Sequence, residues 1–215
     1  MVNRKLIASL LASLLALTAC GNTSQKYGAS KSEGVFFTVP NSWHEISMKE
    51  LSAIEAKSTA SGAAERLALV KWQQAYTFNK SIGSSAVFNL KAPSVPIAFV
   101  RVRSLFPDEV NSVSYNSLRD VVEPITEWVS NPTESTPVFD IIDDYEVVQK
   151  GARGVRTIFN FTHNDISQTV DQTALVSTDR QKIYVFVVRC TTSCYNKYIK
   201  VISRVADSFT VRGVR

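Results

Sequence analysis

The stretch KIYVFVV, Lys182 to Val188, decides the fold. Six apolar residues in succession would bury both faces of a strand, which is typical of a central strand covered on both sides. Three further strand patterns precede it, YEVVQ, GVRTIFNF and QTVDQTALV, and the turn-like links KGAR, THNDIS and STDRQ separate the four. Short links between consecutive strands indicate antiparallel neighbours. The second half of the chain therefore predicts an antiparallel meander.

Outside the meander, strand and helix patterns alternate. The other predicted strands are VFFTVP (35–40), AVFNL (86–90) and PIAFVRVRSL (96–105). The predicted helices are a segment from the capping box of Ser47 and Glu50 to about Lys57, residues 62–77 with LALV open to a strand, Leu118 to Val129 with a kink at Pro124, and about Tyr195 to Asp207. This mixture predicts an α+β fold, an antiparallel β-sheet with helices packed on its faces.

The order of these elements resembles a known family, the PsbP-like α/β/α sandwich. The resemblance runs from Val35 to Val211 and rests on GVFFTVPNSW, the PIAFVRVRSL strand, the hairpin from YEVV to RTIFNF, QKIYVFVV and the closing VADSFTV. Family members include photosystem II extrinsic subunits, a nuclear-transport cofactor and lipid-anchored actinobacterial proteins. The resemblance implies a fold and no functional residue, because the fold hosts accessory and binding proteins with different partners.

The N-terminus predicts export and a lipid anchor. Arg4 and Lys5 precede fourteen uncharged residues, a length typical of a secretory signal and short for a permanent membrane span. Leu17, Thr18, Ala19 and Cys20 resemble the bacterial lipobox, which implies cleavage before Cys20 and a diacylglyceryl thioether on its sulfur. An ordinary secretory cleavage site is the alternative. Two or three acyl chains would hold the protein on the extracytoplasmic face of the cell membrane.

These patterns divide the chain into three parts. Residues 1–19 are the predicted lipoprotein signal peptide, 20–34 the lipidated cysteine and a flexible tether rich in Gly, Ser and Lys, and 35–215 a single domain. Cleavage would leave 22 basic against 19 acidic residues, and no long basic run is present. The charge pattern excludes a typical nucleic-acid-binding protein.

Residues that could support catalysis or metal binding are few. The chain has no G-x-S-x-G motif, and His44 and His163 lie in predicted turns. The acidic run DIIDDYE (140–146) lacks the glycine and spacing of an EF-hand loop, so a solvated strand is the simpler interpretation. We therefore expect no enzyme, no metal site and no cofactor.

One alternation of side chains suggests a binding patch. In FVRVRS, Val100 and Val102 face one way, while Phe99, Arg101 and Arg103 face the other. If the valines face the core, the two guanidinium groups form a candidate patch for anionic headgroups or an acidic partner. Simple solubility is the alternative, and Arg153, Arg156 or Arg189 could join the patch.

The pair Cys190 and Cys194 predicts a disulfide. A lipidated Cys20 would leave these as the remaining cysteines, and export takes them to an oxidising compartment. Three intervening residues at a turn allow the required separation of the Cα atoms. Reduced buried thiols are the alternative, and a zinc site would need two further ligands.

Three functions fit these features. The first is a non-enzymatic accessory lipoprotein that binds a protein partner at the cell envelope. The second is a carrier of a hydrophobic or lipid ligand, and the third an unrecognised enzyme. An apolar cavity above about 300 Å³ would favour the carrier, whereas a packed core would favour the partner-binding module.

Overall fold

The computed structural model describes residues 24–213. The predicted signal peptide, the lipobox and Cys20 lie outside the described residues. Within 24–213, no helix has the length and apolar character needed to cross a membrane.

The described part of the chain is built around a seven-stranded sheet. The strands of residues 24–213, in both sheets, are β1 (Gln25–Ser30), β2 (Val35–Pro40), β3 (His44–Ile46), β4 (Val70–Thr77), β5 (Ile97–Ser104), β6 (Phe139–Val148), β7 (Ala152–His163), β8 (Ile166–Ser177), β9 (Lys182–Thr191) and β10 (Thr210–Val211). The large sheet has the order β3-β4-β5-β9-β8-β7-β6, and β1, β2 and β10 form a small one. All pairings are antiparallel. The predicted meander is confirmed, with β9 inside the sheet between β5 and β8.

Helices cover both faces of the large sheet. They are α1 (Met48–Glu55), α2 (Ala63–Ala68), α3 (Ser85–Phe88), α4 (Glu109–Ser112), α5 (Tyr115–Arg119), α6 (Ile125–Ser130) and α7 (Thr192–Asp207). The capping box of Ser47 and Glu50 begins α1, as its sequence predicts. The predicted fold class, an α+β fold with an antiparallel sheet and helices on its faces, is confirmed.

The two faces are packed differently. On the first face, α7 and the small sheet bury one continuous hydrophobic cluster that includes Phe37, Val100, Phe186 and Ile202. The second face carries only short helices and three separate clusters. The three clusters are built around Leu51 and Ile97, around Leu105 and Leu118, and around Ile125 and Trp128. A gap between these clusters leaves β5 and β9 partly uncovered.

Three local predictions ahead of the meander are wrong. The sequence predicts a helix over residues 62–77, but helix α2 ends at Ala68 and β4 follows, because residues 70–77 pair with β3 and β5. Of the run LALV, which the sequence leaves open to a strand, only Val70 belongs to β4. AVFNL forms the helical turn α3, which buries Val87 instead of adding a strand. The predicted kinked helix is two helices, because Pro124 lacks an N–H and the Asp120 carboxylate accepts from the Thr126 amide (2.8 Å) at the start of α6.

The predicted tether also needs correction. Gln25–Ser30, within the segment 20–34 expected to be flexible, forms β1 and pairs along the whole length of β2. The ring of Phe37 packs directly on Gly28, where an added Cβ would lie only 2.2 Å from the ring. The residue composition does not predict this strand, because pairing with β2 stabilises it and burial of its own side chains does not.

The disulfide prediction concerns the junction of β9 and α7. The Cys190 and Cys194 sulfurs lie at bonding distance and their Cα atoms are 5.9 Å apart. Both residues are buried, and the Thr191 hydroxyl accepts from the Cys194 amide (3.3 Å) as the N-cap of α7. The bridge therefore fixes the start of the helix that covers the first face.

A buried ion pair holds the same helix to the sheet. Arg156 on β7 donates from Nε and Nη2 to the two carboxylate oxygens of Asp171 on β8, at 2.8 Å each. The Tyr195 hydroxyl of α7 donates to Asp171 Oδ2 (3.2 Å), and Arg156 also pairs with Asp207 at the end of α7. Burial, together with the Asp171 charge, raises the pKa of Tyr195. The Asp171 carboxylate therefore links β7, β8 and α7.

Candidate functional site

A cavity of about 490 Å³ opens on the second face, over the two central strands. Its floor consists of four cross-strand pairs from β5 and β9, namely Ile97 with Arg189, Phe99 with Val187, Arg101 with Val185 and Arg103 with Ile183. One wall is the segment 87–90, which includes the end of α3. The opposite wall comes from residues between 105 and 123, in and around α4 and α5.

The local sequence explains why this space stays open. The α4 and α5 helices span only four and five residues, and Pro124 ends the turn that follows them. These short elements each cover one hydrophobic cluster and do not bridge the floor.

Arg101, one member of the predicted patch, lies in the middle of the floor. Its Nη2 donates to Glu55 Oε1 (2.6 Å) of α1, and its Nε donates to Gln73 Oε1 (3.0 Å). The guanidinium carbon lies 5.1 Å from the Phe99 ring centre and 5.5 Å from that of Phe88. Burial lowers the pKa of Arg101, and the Glu55 carboxylate opposes this effect.

Arg103, the other member, lies toward one end of the cavity. Nη1 and Nη2 donate to the two carboxylate oxygens of Glu109, at 2.7 and 2.8 Å. These hydrogen bonds are the largest cause of the lowered pKa of Glu109. The alternation of β5 is as predicted, with Val100 and Val102 fully buried on the first face. The two arginines, however, form no open surface patch, since each is paired with an acidic residue and lines a cavity.

Arg189 lies at the other end of the floor. Its Nη2 donates to the main-chain carbonyls of Ala86 (3.0 Å), Val87 (3.3 Å) and Asn89. Within 24–213, no carboxylate lies within ion-pair distance of this guanidinium. Burial lowers the pKa of Arg189, and the nearby Glu123 carboxylate opposes the shift.

Glu123 is the acidic group nearest to this end of the cavity. Burial raises its pKa, while the charges of Arg189 and His163 act in the opposite direction. The Arg189 end therefore combines a cation and a carboxylate that are both partly desolvated. At the Arg103 end, Arg103 and Glu109 form an ion pair in which the two charges neutralise each other.

The remaining candidate residues lie elsewhere. His44 begins β3, and His163 ends β7, where its Nε2 lies 3.2 Å from Asn164 Nδ2. Residues 140–146 belong to the exposed edge strand β6, as a solvated strand requires. In the part of the chain that the structure describes, no three His, Cys, Asp or Glu side chains are grouped to hold a metal.

The structure shows which of the other arginines lie near Arg101 and Arg103. Arg189 joins Arg101 and Arg103 in the cavity lining, whereas Arg156 lies on the opposite face beside Asp171. Sequence reasoning missed Phe88 and Glu123. Neither has a local signal, because one lies in a misassigned strand and the other in a misassigned helix.

No protein-family model and no curated protein sequence matches the chain. It is similar to the solution structure of cyanobacterial PsbP (CyanoP) from Synechocystis sp. PCC 6803, with 15% identity, 91% of this chain and 99% of that chain covered, and a TM-score of 0.47. It is also similar to LpqN, involved in cell envelope biogenesis of Mycobacterium tuberculosis (10% identity, 87% and 90% covered, TM-score 0.46). A third similar structure is the Saccharomyces cerevisiae Ran-binding protein Mog1p (11% identity, 88% and 96% covered, TM-score 0.46). These likenesses concern the course of the backbone and not ligands or partners.

Proposed function

We propose that this protein is a non-enzymatic lipoprotein of the cell envelope that carries a small hydrophobic or amphipathic molecule in the cavity. The observation that carries the proposal is the cavity itself. Its volume of about 490 Å³ falls within the range of small-molecule sites, which spans about 300–1,000 Å³.

The chemistry of the lining supports a carrier over the partner-binding module. Most lining residues are apolar, among them Phe99, Val185 and Val187 on the floor and Leu90 and Val121 on the walls. Within residues 24–213, six charged side chains lie between them, namely Arg101, Arg103, Arg189, Glu109, Asp120 and Glu123. Ligand sites typically combine a largely apolar wall with a small number of placed polar groups, and this cavity has that composition.

The absence of catalysis is part of the proposal. Two of the three arginines on the floor are already held by carboxylates, and neither histidine is among the described residues that line the cavity. The hydroxyls of Ser112 and Ser117 donate to the main-chain carbonyls of Asp108 and Ser114 (2.9 Å each), whereas general-base activation of a nucleophile needs a basic side chain within hydrogen-bond reach.

The test of ligand binding is to fill the cavity. Val185 points into it from β9, so Val185→Trp should weaken binding of a neutral apolar fluorophore, such as 1-aminoanthracene, by about tenfold or more. The added ring occupies the space that the fluorophore needs. Fluorescence titration gives the dissociation constants, and thermal unfolding checks that the variant is folded.

Val129→Trp is the matched control, because Val129 is exposed and lies outside the cavity lining. This variant should bind the fluorophore as the unmodified protein does. A folded Val185→Trp protein with undiminished binding would contradict the proposed site.

The anchor is proposed from the sequence. Cys20→Ala should release the protein from membranes without unfolding it, because the acyl chains would be attached to a residue that precedes the first strand, β1 (Gln25–Ser30). Metabolic labelling with a clickable palmitate analogue and sedimentation of membranes measure the two effects. Absence of label on the unmodified protein, or a variant that still sediments with membranes, would refute the lipoprotein assignment.

A further inference from the structure

We propose that the cavity selects amphiphiles with one anionic head group, a carboxylate or a phosphate, and that Arg189 binds this head. The inference rests on the proposed function and adds the chemical class and orientation of the ligand. It comes from the difference between the two ends of the cavity.

The Arg103 end offers little to an anion. Both carboxylate oxygens of Glu109 are engaged by Arg103, and Glu109 also accepts from the Phe106 amide (2.7 Å). A bidentate pair of this kind satisfies the geometry of both partners. An anionic head placed here would have to displace a carboxylate that is already well bound.

The Arg189 end is open. A guanidinium group has five N–H donors, and the Arg189 contacts to residues 86–89 all come from Nη2. Among the residues that the structure describes, none accepts a hydrogen bond from Nε or Nη1 of this side chain. Carbonyl contacts leave the positive charge unneutralised, and burial makes that charge costly. A carboxylate or phosphate would supply both the acceptors and the counter-charge.

Arg101 reinforces this orientation from the middle of the floor. Its Nε and Nη2 are occupied by Gln73 and Glu55, and within 24–213 its Nη1 has no acceptor. The guanidinium lies beside the ring of Phe88, in the same wall segment whose carbonyls Arg189 contacts. Both arginines therefore face the 86–89 wall, and the head group lies there.

The apolar chain then follows the floor away from Arg189. Val187, Val185 and Ile183 succeed one another along β9, and Phe99 and Leu105 flank them. From Arg189 to Ile183 the strand advances six residues, or about 20 Å. An extended, single-chain amphiphile fits this length and polarity better than a compact polar metabolite.

Glu123 allows a second, independent test of where the head group binds. Its carboxylate lies close enough to Arg189 for the two charges to influence each other without forming an ion pair. An incoming anion is repelled by Glu123, so Glu123→Gln should strengthen anion binding. Arg189→Gln should weaken it, and the two variants thus shift the same equilibrium in opposite directions.

The experiment compares ligands that share a chain and differ in the head. Laurate, dodecyl phosphate and dodecanol compete with bound 1-aminoanthracene on the unmodified protein. We expect the two anions to bind about tenfold more tightly than the alcohol, the factor typical of a charge-assisted hydrogen bond. Arg189→Gln should remove this preference, and Arg189→Lys should retain part of it. Arg153→Gln is the control and should keep it, because Arg153 is exposed and lies outside the cavity lining.

The outcomes separate the two proposals. Equal displacement by all three compounds, or an unchanged preference in both Arg189→Gln and Glu123→Gln, would overturn the head-group inference while the carrier function stands. Displacement by laurate alone or by dodecyl phosphate alone identifies the acid that is selected, and supports the inference. If the fluorophore binds and no amphiphile displaces it, the inference is wrong and an extended peptide is the next occupant to test. A protein that binds neither fluorophore nor amphiphile would overturn both.

Discussion

Replacing Asp171 by alanine is expected to lower the free energy of unfolding by about 3–5 kcal/mol, because it removes the buried carboxylate partner of Arg156 and leaves only the exposed carboxylate of Asp207. Asp171 is 1% exposed and accepts two hydrogen bonds from Arg156 and one from Tyr195. The variant loses three hydrogen bonds and one charge pair in a region that water does not reach. Urea denaturation followed by circular dichroism measures the change.

Two further variants show whether the buried charge is the cause. Asp207 also pairs with Arg156, but its side chain is 64% exposed, so Asp207→Asn should cost less than about 1 kcal/mol. Removing both charges in Arg156→Met/Asp171→Leu should cost less than Asp171→Ala alone, because no unpaired ion remains. A double variant at least as unstable as the single one would show that packing, and not the unpaired charge, determines the loss.

The second half of the chain could be predicted because its signals are local and agree with one another. Each strand of the meander is apolar or alternating, and each link carries turn residues. The helix α7 has a regular apolar stripe, and Tyr195, Ile202 and Val205 are buried as that stripe requires. In these elements the pattern, the turn chemistry and the tertiary packing all favour the same structure.

The first half was harder because strand pairing overrides weak local preferences. Residues 70–77 have the composition of a helix or a strand, and only the neighbours β3 and β5 decide between them. Gln25–Ser30 is polar and rich in small residues, yet β2 provides a complete set of pairing partners. The partner strands of β4 lie at residues 44–46 and 97–104, outside a short sequence window. The partner of β1 is the next strand, so the signal for β1 lies in β2 and not in the composition of β1 itself.

The candidate site was predictable only in part for a related reason. The alternation in β5 correctly places Arg101 and Arg103 on one side, away from Val100 and Val102. Their partners Glu55 and Glu109 come from α1 and α4, and Arg189 comes from another strand. A cavity is a gap between elements. Its position depends on where α5 ends and α6 begins, which the predicted long helix missed.

Two adjacent residues on β9 allow ligand binding and stability to be tested separately. Val185 faces the cavity, whereas Phe186 faces α7 and is 1% exposed. The Phe186 ring centre lies 5.0 Å from that of Phe37 on β2 and 4.9 Å from that of Phe209, which stacks on it. Phe186 therefore joins the large sheet, the small sheet and the chain that follows α7.

Phe186→Ala should lower the free energy of unfolding by about 3–5 kcal/mol, because it removes buried aromatic surface and leaves a cavity that its neighbours fill only in part. Phe78→Ala is the matched control. Phe78 is 41% exposed and its ring contacts that of Tyr198, so replacing it should lower the free energy of unfolding by less than about 1 kcal/mol. Denaturant midpoints at constant slope give both values. If the two variants unfold at the same midpoint, Phe186 does not hold the layers together as its contacts indicate.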